Sequence, residues 1–172
     1  GVYDFGPLGS LLKDNIRTAW KKSLKKSGES ILFFDGAILG SEQVWKASGH
    51  VDNFHDPMVD CLNCKKRYRS DDPDFDINKP CTHCGIKQWT GVRSFNMMFK
   101  TEVGASLENA THAFLRPETA QSIFINFKNV VDSFHPKLAF GIAQIGKAFR
   151  NEITPRNFLF RSREFEQMEL EY

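Results

Sequence analysis

Two groups of residues in this 172-residue chain have types and spacings suited to chemistry. The first is the segment from Phe149 to Tyr172, FRNEITPRNFLFRSREFEQMELEY. Read as two strands joined by a short loop at Thr154-Pro155-Arg156-Asn157, it sets charge where a core strand would be apolar. Strand residues alternate faces, so Arg161, Arg163, Phe165, Gln167, Glu169 and Glu171 are expected to share one side. Guanidiniums suit a polyanion, an aromatic ring suits a flat base, and an amide with carboxylates suits an ammonium. Across the turn, Arg150 and Glu152 also share a face and can point into the same space. A solvated face of paired charges is the plainer reading. A single cleft accounts for every one of these residues and is preferred.

The second group is Cys61-Leu-Asn-Cys64 and, after sixteen residues, Cys81-Thr-His-Cys84. Paired CxxC knuckles fit a zinc ribbon, with four thiolates completing a tetrahedron at about 2.3 Å. That sphere leaves no open position for water, so Cys61, Cys64, Cys81 and Cys84 would hold a structural ion. His83 could compete as a ligand, although a surface role suits it better. Two disulfides are the alternative. No secretory signal is seen at Gly1 and the cysteines cluster locally, which favours zinc. The polar run from Arg69 to Lys79 cannot build a core, so this ribbon is expected to be an insertion hung on the main domain.

These residues need a scaffold, and composition bounds it. A chain of this length buries one good core, and sixteen Phe supply bulk for it. A net charge of +2 is too weak to argue for nucleic acid. No stretch approaches membrane-spanning length. The chain begins without Met and stops in an apparent strand, so it is expected to be a piece of something longer.

Pro7 suits a first helical turn, and Leu8, Leu11, Leu12, Ile16, Ala19, Trp20 and Leu24 recur at helical spacing up to a stop at Gly28. The opposite face, with Lys13, Arg17, Lys21, Lys22 and Lys25, is either solvated or a nucleic-acid contact, and the first is preferred. A buried strand follows over 31–39, broken by Asp35-Gly36; the helix and strand would pack at a sheet edge or at a dimer seam. A further strand is expected over 95–101. A helix is expected from Arg116-Pro117-Glu118-Thr119, with Ala120, Ile123, Phe124, Phe127 and Val131 inward. A strand over 138–149 then leads into Arg150. Glu118 reads equally as a dipole partner at a helix start and as a carboxylate aimed at a ligand ammonium. GxxxxGK[ST], GxGxxG and GxSxG are all missing, which excludes a P-loop, a Rossmann turn and a nucleophile elbow.

Phe149-Arg150-Asn151-Glu152, the loop, then Arg163-Glu164-Phe165 and Glu169 resemble the second signature motif of class II aminoacyl-tRNA synthetases. TAQ after Arg116-Pro117-Glu118, with SGHVDNF, FNMMFKT and EFEQMELEY, resembles more narrowly the dimeric bacterial type of glycyl-tRNA synthetase, over Tyr3 to Tyr172. The resemblance implies an α+β fold, a class II synthetase-like antiparallel six-stranded sheet flanked by helices with a small zinc-ribbon insertion. Residues 1–60 and 85–172 would form an incomplete catalytic core and 61–84 the ribbon.

It also implies roles. Arg150 and Glu152 would be catalytic: Arg150 on the α-phosphate of ATP, Glu152 on the adenine edge or the tRNA end. Phe165 would stack on adenine and Arg161 would meet the outer phosphates. Asn151, Phe160, Ser162, Arg163 and Glu164 would complete the ATP site. Arg69, Glu118, Phe165, Gln167 and Glu169 would hold glycine. The implied reaction activates glycine with ATP and Mg2+ and transfers it to tRNA(Gly), in the cytoplasm, in a homodimer with structural Zn2+ and no membrane. A protein nucleophile is not needed, since positioning and electrostatics suffice.

The chain departs from that pattern in lacking the glycine-rich third motif and an anticodon-binding domain. Ser41-Glu42 stand where the first motif carries proline, and Ser122 where glycine follows TAQ. Rival readings are a non-catalytic synthetase-like binding or dimerisation module and a zinc-ribbon nucleic-acid-binding protein. Such non-catalytic relatives lose site residues, which this chain keeps, and the ribbon's Lys65, Lys66, Arg67 and Arg69 make only a modest basic patch.

Overall fold

Pro7 occupies the first turn of helix α1 (Pro7–Lys26), where its missing N–H costs nothing. Lys25 and Lys26 sit at the negative end of the helix dipole, and Gly28 at φ +82° turns the chain away. These features belong to a computed structural model that describes residues 1–105, 110–155 and 157–172. Arg156, part of the turn read from the sequence, lies outside the described residues.

The remaining elements are β1 (Ile31–Phe33), β2 (Leu39–Ser41), α2 (Glu42–Ala47), α3 (His50–Asn53), β3 (His55–Asp60), β4 (Arg67–Arg69), β5 (Arg93–Asn96), β6 (Phe99–Val103), β7 (Thr111–Leu115), α4 (Ala120–Phe134), β8 (Gly141–Phe149) and β9 (Glu164–Glu171). The fold is mixed α+β with mostly antiparallel pairing. Instead of one six-stranded antiparallel sheet, the described strands form three three-stranded sheets, in the orders β1-β8-β9, β2-β7-β6 and β4-β3-β5. The pairing of β1 with β8 is parallel, unlike the antiparallel sheet that the resemblance implies. The long excursion between those strands makes a parallel pair possible.

Two expected strands are each cut in two. Within 31–39 the chain leaves β1 at Phe34 and joins another sheet at Leu39. The cut is enforced at Gly36, whose N–H donates to Gln144 Oε1 at 3.1 Å and whose carbonyl accepts from Arg116 at 2.7 Å. Within 95–101 the break falls at Met97-Met98, both buried; Asn96 Oδ1 accepts the Met98 N–H and the Met97 carbonyl accepts the Asn151 N–H.

Helix α4 begins at Ala120, with Thr119 as its N-cap residue, later than expected. Arg116 is still extended, donating its N–H to Ile38 and accepting from Phe149, so Pro117 precedes the helix instead of opening it. Of the expected inward stripe, Ile123 is buried, whereas Phe124 and Phe127 are half exposed. Ile123 packs with Phe140, Ile142, Val130 and Val131, and Phe127 stacks on Phe140. A second core gathers Trp45, Met98 and Phe114. The strand expected over 138–149 starts at Gly141.

The apolar stripe of α1 does not face inward: Leu8, Leu11, Leu12 and Ile16 are exposed. The helix docks instead through Lys13 and Arg17, which converge on Glu166 of β9, and through Trp20 edge-on to Phe33. Part of the basic face is thus structural, neither free in solvent nor open to nucleic acid. The Arg17 and Lys13 hydrogen bonds hold the Glu166 carboxyl below its usual range. No helix among the described residues is long and apolar enough to cross a membrane.

Candidate active site and cysteine cluster

Arg116 anchors the site from beneath. It is 3 % exposed, yet meets no carboxylate in hydrogen-bond range among the described residues. Its guanidinium donates to the carbonyls of Lys147 (2.7 Å), Gly36 (2.7 Å) and Ala37 (3.4 Å). Burial pushes its pKa down, against the field of Asp35. A Cβ on Gly146 would lie 2.0 Å from this guanidinium, so β8 approaches Arg116 only because that residue is glycine.

β8 ends at Phe149, and Arg150 opens the loop. Arg150 is fixed by its N–H to the Arg163 carbonyl at 2.9 Å and by Nε to the Pro117 carbonyl at 3.1 Å. Its guanidinium carbon lies 5.2 Å from the Phe165 ring centre and 5.6 Å from that of Phe54. Cation–π contact on both rings keeps the charge in place, and among the described residues its side chain donates only from Nε. Glu152, buried, accepts from Arg161 Nε at 2.8 Å, and its carbonyl accepts from Arg163 Nε at 2.9 Å.

The face read from the odd positions is present over part of its expected length. β9 starts at Glu164, so Phe165, Gln167, Glu169 and Glu171 share a side, while Arg161 and Arg163 precede the strand and reach Glu152 from the loop. Glu164 falls on the opposite face, paired with Lys147. Ser162 is buried and donates to the Glu164 carbonyl at 2.9 Å. Phe160 is 93 % exposed and joins none of these contacts. Asn151 enters through its backbone N–H, which holds Met97.

The carboxylates occupy two neighbouring positions. Glu169 Oε2 accepts from the Thr119 hydroxyl at 3.1 Å. Glu118 accepts from Gln121 at 3.2 Å and has His50 Nε2 at 3.5 Å. Gln167 Oε1 is buried and has no hydrogen-bond partner among the described residues. Arg69 on β4 is drawn to Asp71, by hydrogen bonds of 3.0 and 2.8 Å, and to Asp56 at 3.0 Å. The Asp56 contact is an ion pair without hydrogen-bond geometry, leaving Oδ2 with no donor among the described residues. Burial pushes the Asp56 carboxyl up, with Arg69 opposing and Glu152 and Asp71 adding to the rise.

His50, Phe54, Asp56, Thr119 and Gln144 were not foreseen from the sequence. Each acts through a partner distant along the chain; the motif SGHVDNF contains His50 and Phe54, and TAQ contains Thr119, but neither motif gave these residues a role.

All four cysteines are free thiols, with their sulfurs within 4.8 Å of one another. Cys61 and Cys84 are 3.6 Å apart and Cys64 and Cys81 3.7 Å, too long for disulfides. A tetrahedron with bonds of about 2.3 Å has edges of about 3.8 Å, so the set fits zinc. The two knuckles are built alike: Lys65 N–H donates to Cys61 O at 2.9 Å and Gly85 N–H to Cys81 O at 2.8 Å, with Lys65 and Gly85 both at positive φ. The Cys81 thiol is brought down to about 6. Burial works against this and is outweighed by donors from the Tyr68 hydroxyl and the His83 and Cys84 backbone. His83 is exposed and outside the cluster. The first knuckle is also the turn between β3 and β4, the strands that carry Asp56 and Arg69.

No protein-family model matches the chain. Curated relatives do. The chain is 51% identical over 173 residues to the glycine–tRNA ligase of Borreliella afzelii (strain PKo), covering 100% of this chain and 38% of that protein. It is 49% identical over 174 residues to the glycine–tRNA ligase of Treponema denticola, again 38% of the relative. By sequence, the chain belongs to the glycine–tRNA ligase family. The family member of Malacoplasma penetrans is 47% identical over 192 residues, with 99% of this chain and 42% of that protein covered. The chain thus spans about two fifths of the length of the glycine–tRNA ligases it matches. In fold it is similar to an ATP phosphoribosyltransferase regulatory subunit/histidyl-tRNA synthetase from Bacillus halodurans C, with a TM-score of 0.53 at 13% identity. That match covers 99% of this chain and 30% of the other.

Proposed function

We propose that this chain carries the ATP and glycine sites of an enzyme that activates glycine to glycyl-adenylate and transfers it to tRNA(Gly) for protein synthesis. The observation that carries the reading is the placement of Arg150 between Phe54 and Phe165, at the head of a β9 face that continues to Gln167 and Glu169, in a chain 51% identical to a glycine–tRNA ligase throughout.

Arg150 binds the α-phosphate and carries charge that develops there as the glycine carboxylate attacks in line and pyrophosphate leaves. Phe165 stacks on adenine, Glu152 meets the adenine edge or the tRNA end, and Arg161 meets the outer phosphates. Asn151, Phe160, Ser162, Arg163 and Glu164 complete the nucleotide site. Glu118 and Glu169 share the glycine ammonium, with Gln167 accepting a further hydrogen bond and Arg69 supporting the site from β4. Two acids suit an amino acid with no side chain, because recognition must come from its ammonium, its carboxylate and the exclusion of a Cβ. Mg2+, when bound with ATP, neutralises phosphate charge; positioning falls to the protein groups.

The fold is that of a class II synthetase core, with 61–84 as a zinc-ribbon insertion holding a structural Zn2+ on Cys61, Cys64, Cys81 and Cys84. The exposed Leu8, Leu11, Leu12 and Ile16 of α1 support a homodimer, and the enzyme works in the cytoplasm. Retention of Glu118, Arg150, Glu152, Phe165 and Glu169 speaks against a non-catalytic relative. The test is charging of tRNA(Gly) by the protein at the full length of its relatives. Labelled glycine should appear on tRNA, and alanine and serine should not; charging with either in place of glycine would overturn the reading.

A further inference from the structure

Gln144 and Thr119 are among the most deeply buried polar side chains described, 1 % and 0 % exposed, and neither has a part in the reaction above. Gln144 lies on β8 directly across from Glu169 on β9. Its amide is fully engaged. Oε1 accepts the Gly36 N–H at 3.1 Å, and Nε2 donates to the Thr119 carbonyl and to Ser122 Oγ, the latter at 2.6 Å. Ser122 Oγ donates in turn to the Thr119 carbonyl at 2.9 Å. Two donors thus fix one carbonyl at the entry to α4, and the hydroxyl of the same threonine donates to Glu169 Oε2 at 3.1 Å.

The loop is closed: strand β8, helix entry, strand β9, and back across the β8–β9 ladder. Gly36 belongs to it, since a Cβ there would lie 2.5 Å from Ser122 Oγ. A buried amide costs stability unless every polar atom is satisfied, so satisfaction on this scale defines one arrangement of the surrounding backbone. The Thr119 hydroxyl binds Oε2, and no donor among the described residues takes Oε1. Glu118 is the residue before Thr119, so holding that backbone also holds the second carboxylate.

We infer that Gln144, Ser122 and Thr119 are positioning residues that aim Glu169 and Glu118 at the amino-acid ammonium. The inference rests on the reading of Glu118 and Glu169 as the glycine site. A ligand without a side chain gains little from shape, so its affinity depends on how well these carboxylates are held.

The test is glycine-dependent ATP–pyrophosphate exchange in the protein at the full length of its relatives, comparing wild type, Thr119→Val and Thr119→Ser. Valine keeps the shape and removes the donor; serine keeps the donor. Thr119→Val should raise KM for glycine roughly ten-fold, the order expected when a hydrogen bond to a charged group is lost. KM for ATP should stay near wild type, and Thr119→Ser should restore the glycine KM. An equal rise in both KM values, a serine variant as poor as valine, or an unchanged glycine KM would each overturn the relay while leaving the glycine reading intact. A wild type without glycine-dependent exchange would overturn that reading, and the relay with it.

Discussion

The guanidinium carbon of Arg150 lies 5.2 Å from the centre of the Phe165 ring, and the two residues reach this contact from opposite sides of the loop that joins β8 to β9. One holds a cation and the other a flat surface, the pair that an adenosine phosphate requires side by side. Replacing Arg150 by Ala should lower adenylate formation by roughly 10²-fold or more, as for loss of a preorganised charge-stabilising donor. Arg150 donates from its side chain to one described backbone carbonyl, that of Pro117, so the variant should remain folded. Circular dichroism beside the exchange rate checks both, and a folded Arg150→Ala protein of near-normal rate would remove Arg150 from the mechanism.

Gly146→Ala should destabilise the fold without touching a ligand. The new methyl would meet Arg116, which three backbone carbonyls hold in place, so the guanidinium cannot yield. The expected loss is about 2–4 kcal/mol in chemical denaturation, combining overpacking with a disturbed buried cation. A loss under about 0.5 kcal/mol, the level of an ordinary surface change, would show that Arg116 relaxes freely.

The first and last parts of this architecture were legible in the sequence for different reasons. Helix α1 announced itself through Pro7, its spacing and Gly28, because those are local signals. The inward face did not, because α1 docks through Lys13 and Arg17 on a glutamate some 150 positions away in sequence, while the leucines stay outside. Strands were found but overextended. Gly36 and Met97-Met98 break them through bonds to Gln144, Arg116 and Asn151, which lie far along the chain. In the site, Phe165, Gln167 and Glu169 follow from strand alternation, and the sulfur cluster follows from CxxC spacing. Glu164 fell on the far face by the same alternation, and Thr119 and Gln144 could not be read because nothing local marks a buried relay.

Acid should weaken the docking of α1. Glu166 titrates below its ordinary 4.5 because Arg17, and after it Lys13, hydrogen-bond to the charged form. A carboxyl whose folded-state pKa is depressed contributes its stability above the unfolded value and loses it as pH falls through the folded one. The stability difference between wild type and Glu166→Gln should therefore be full at pH 7 and shrink below about pH 4.5. Denaturation at pH 7 and pH 3 checks this, and a difference that grows with acid would contradict it.

Removing metal should unsettle β4 before the rest of the chain. The first knuckle turns β3 into β4, and Tyr68 of β4 lies 3.3 Å from Cys81 Sγ. The purified protein should contain one zinc per chain, and Cys81→Ser should lose it. Chelation should lower Tm and raise amide exchange at Arg67–Arg69 while α4 stays protected. Full folding and normal β4 protection in metal-free protein would show that the thiols need no ion.

The central claim is that this chain belongs to an enzyme that makes glycyl-adenylate. ATP–pyrophosphate exchange tests it most directly, with the protein at the full length of its relatives, zinc-loaded, against each amino acid in turn. Exchange with glycine and with no other amino acid is the predicted result. Folded, zinc-loaded protein that exchanges with no amino acid, or with one other than glycine, would contradict the account.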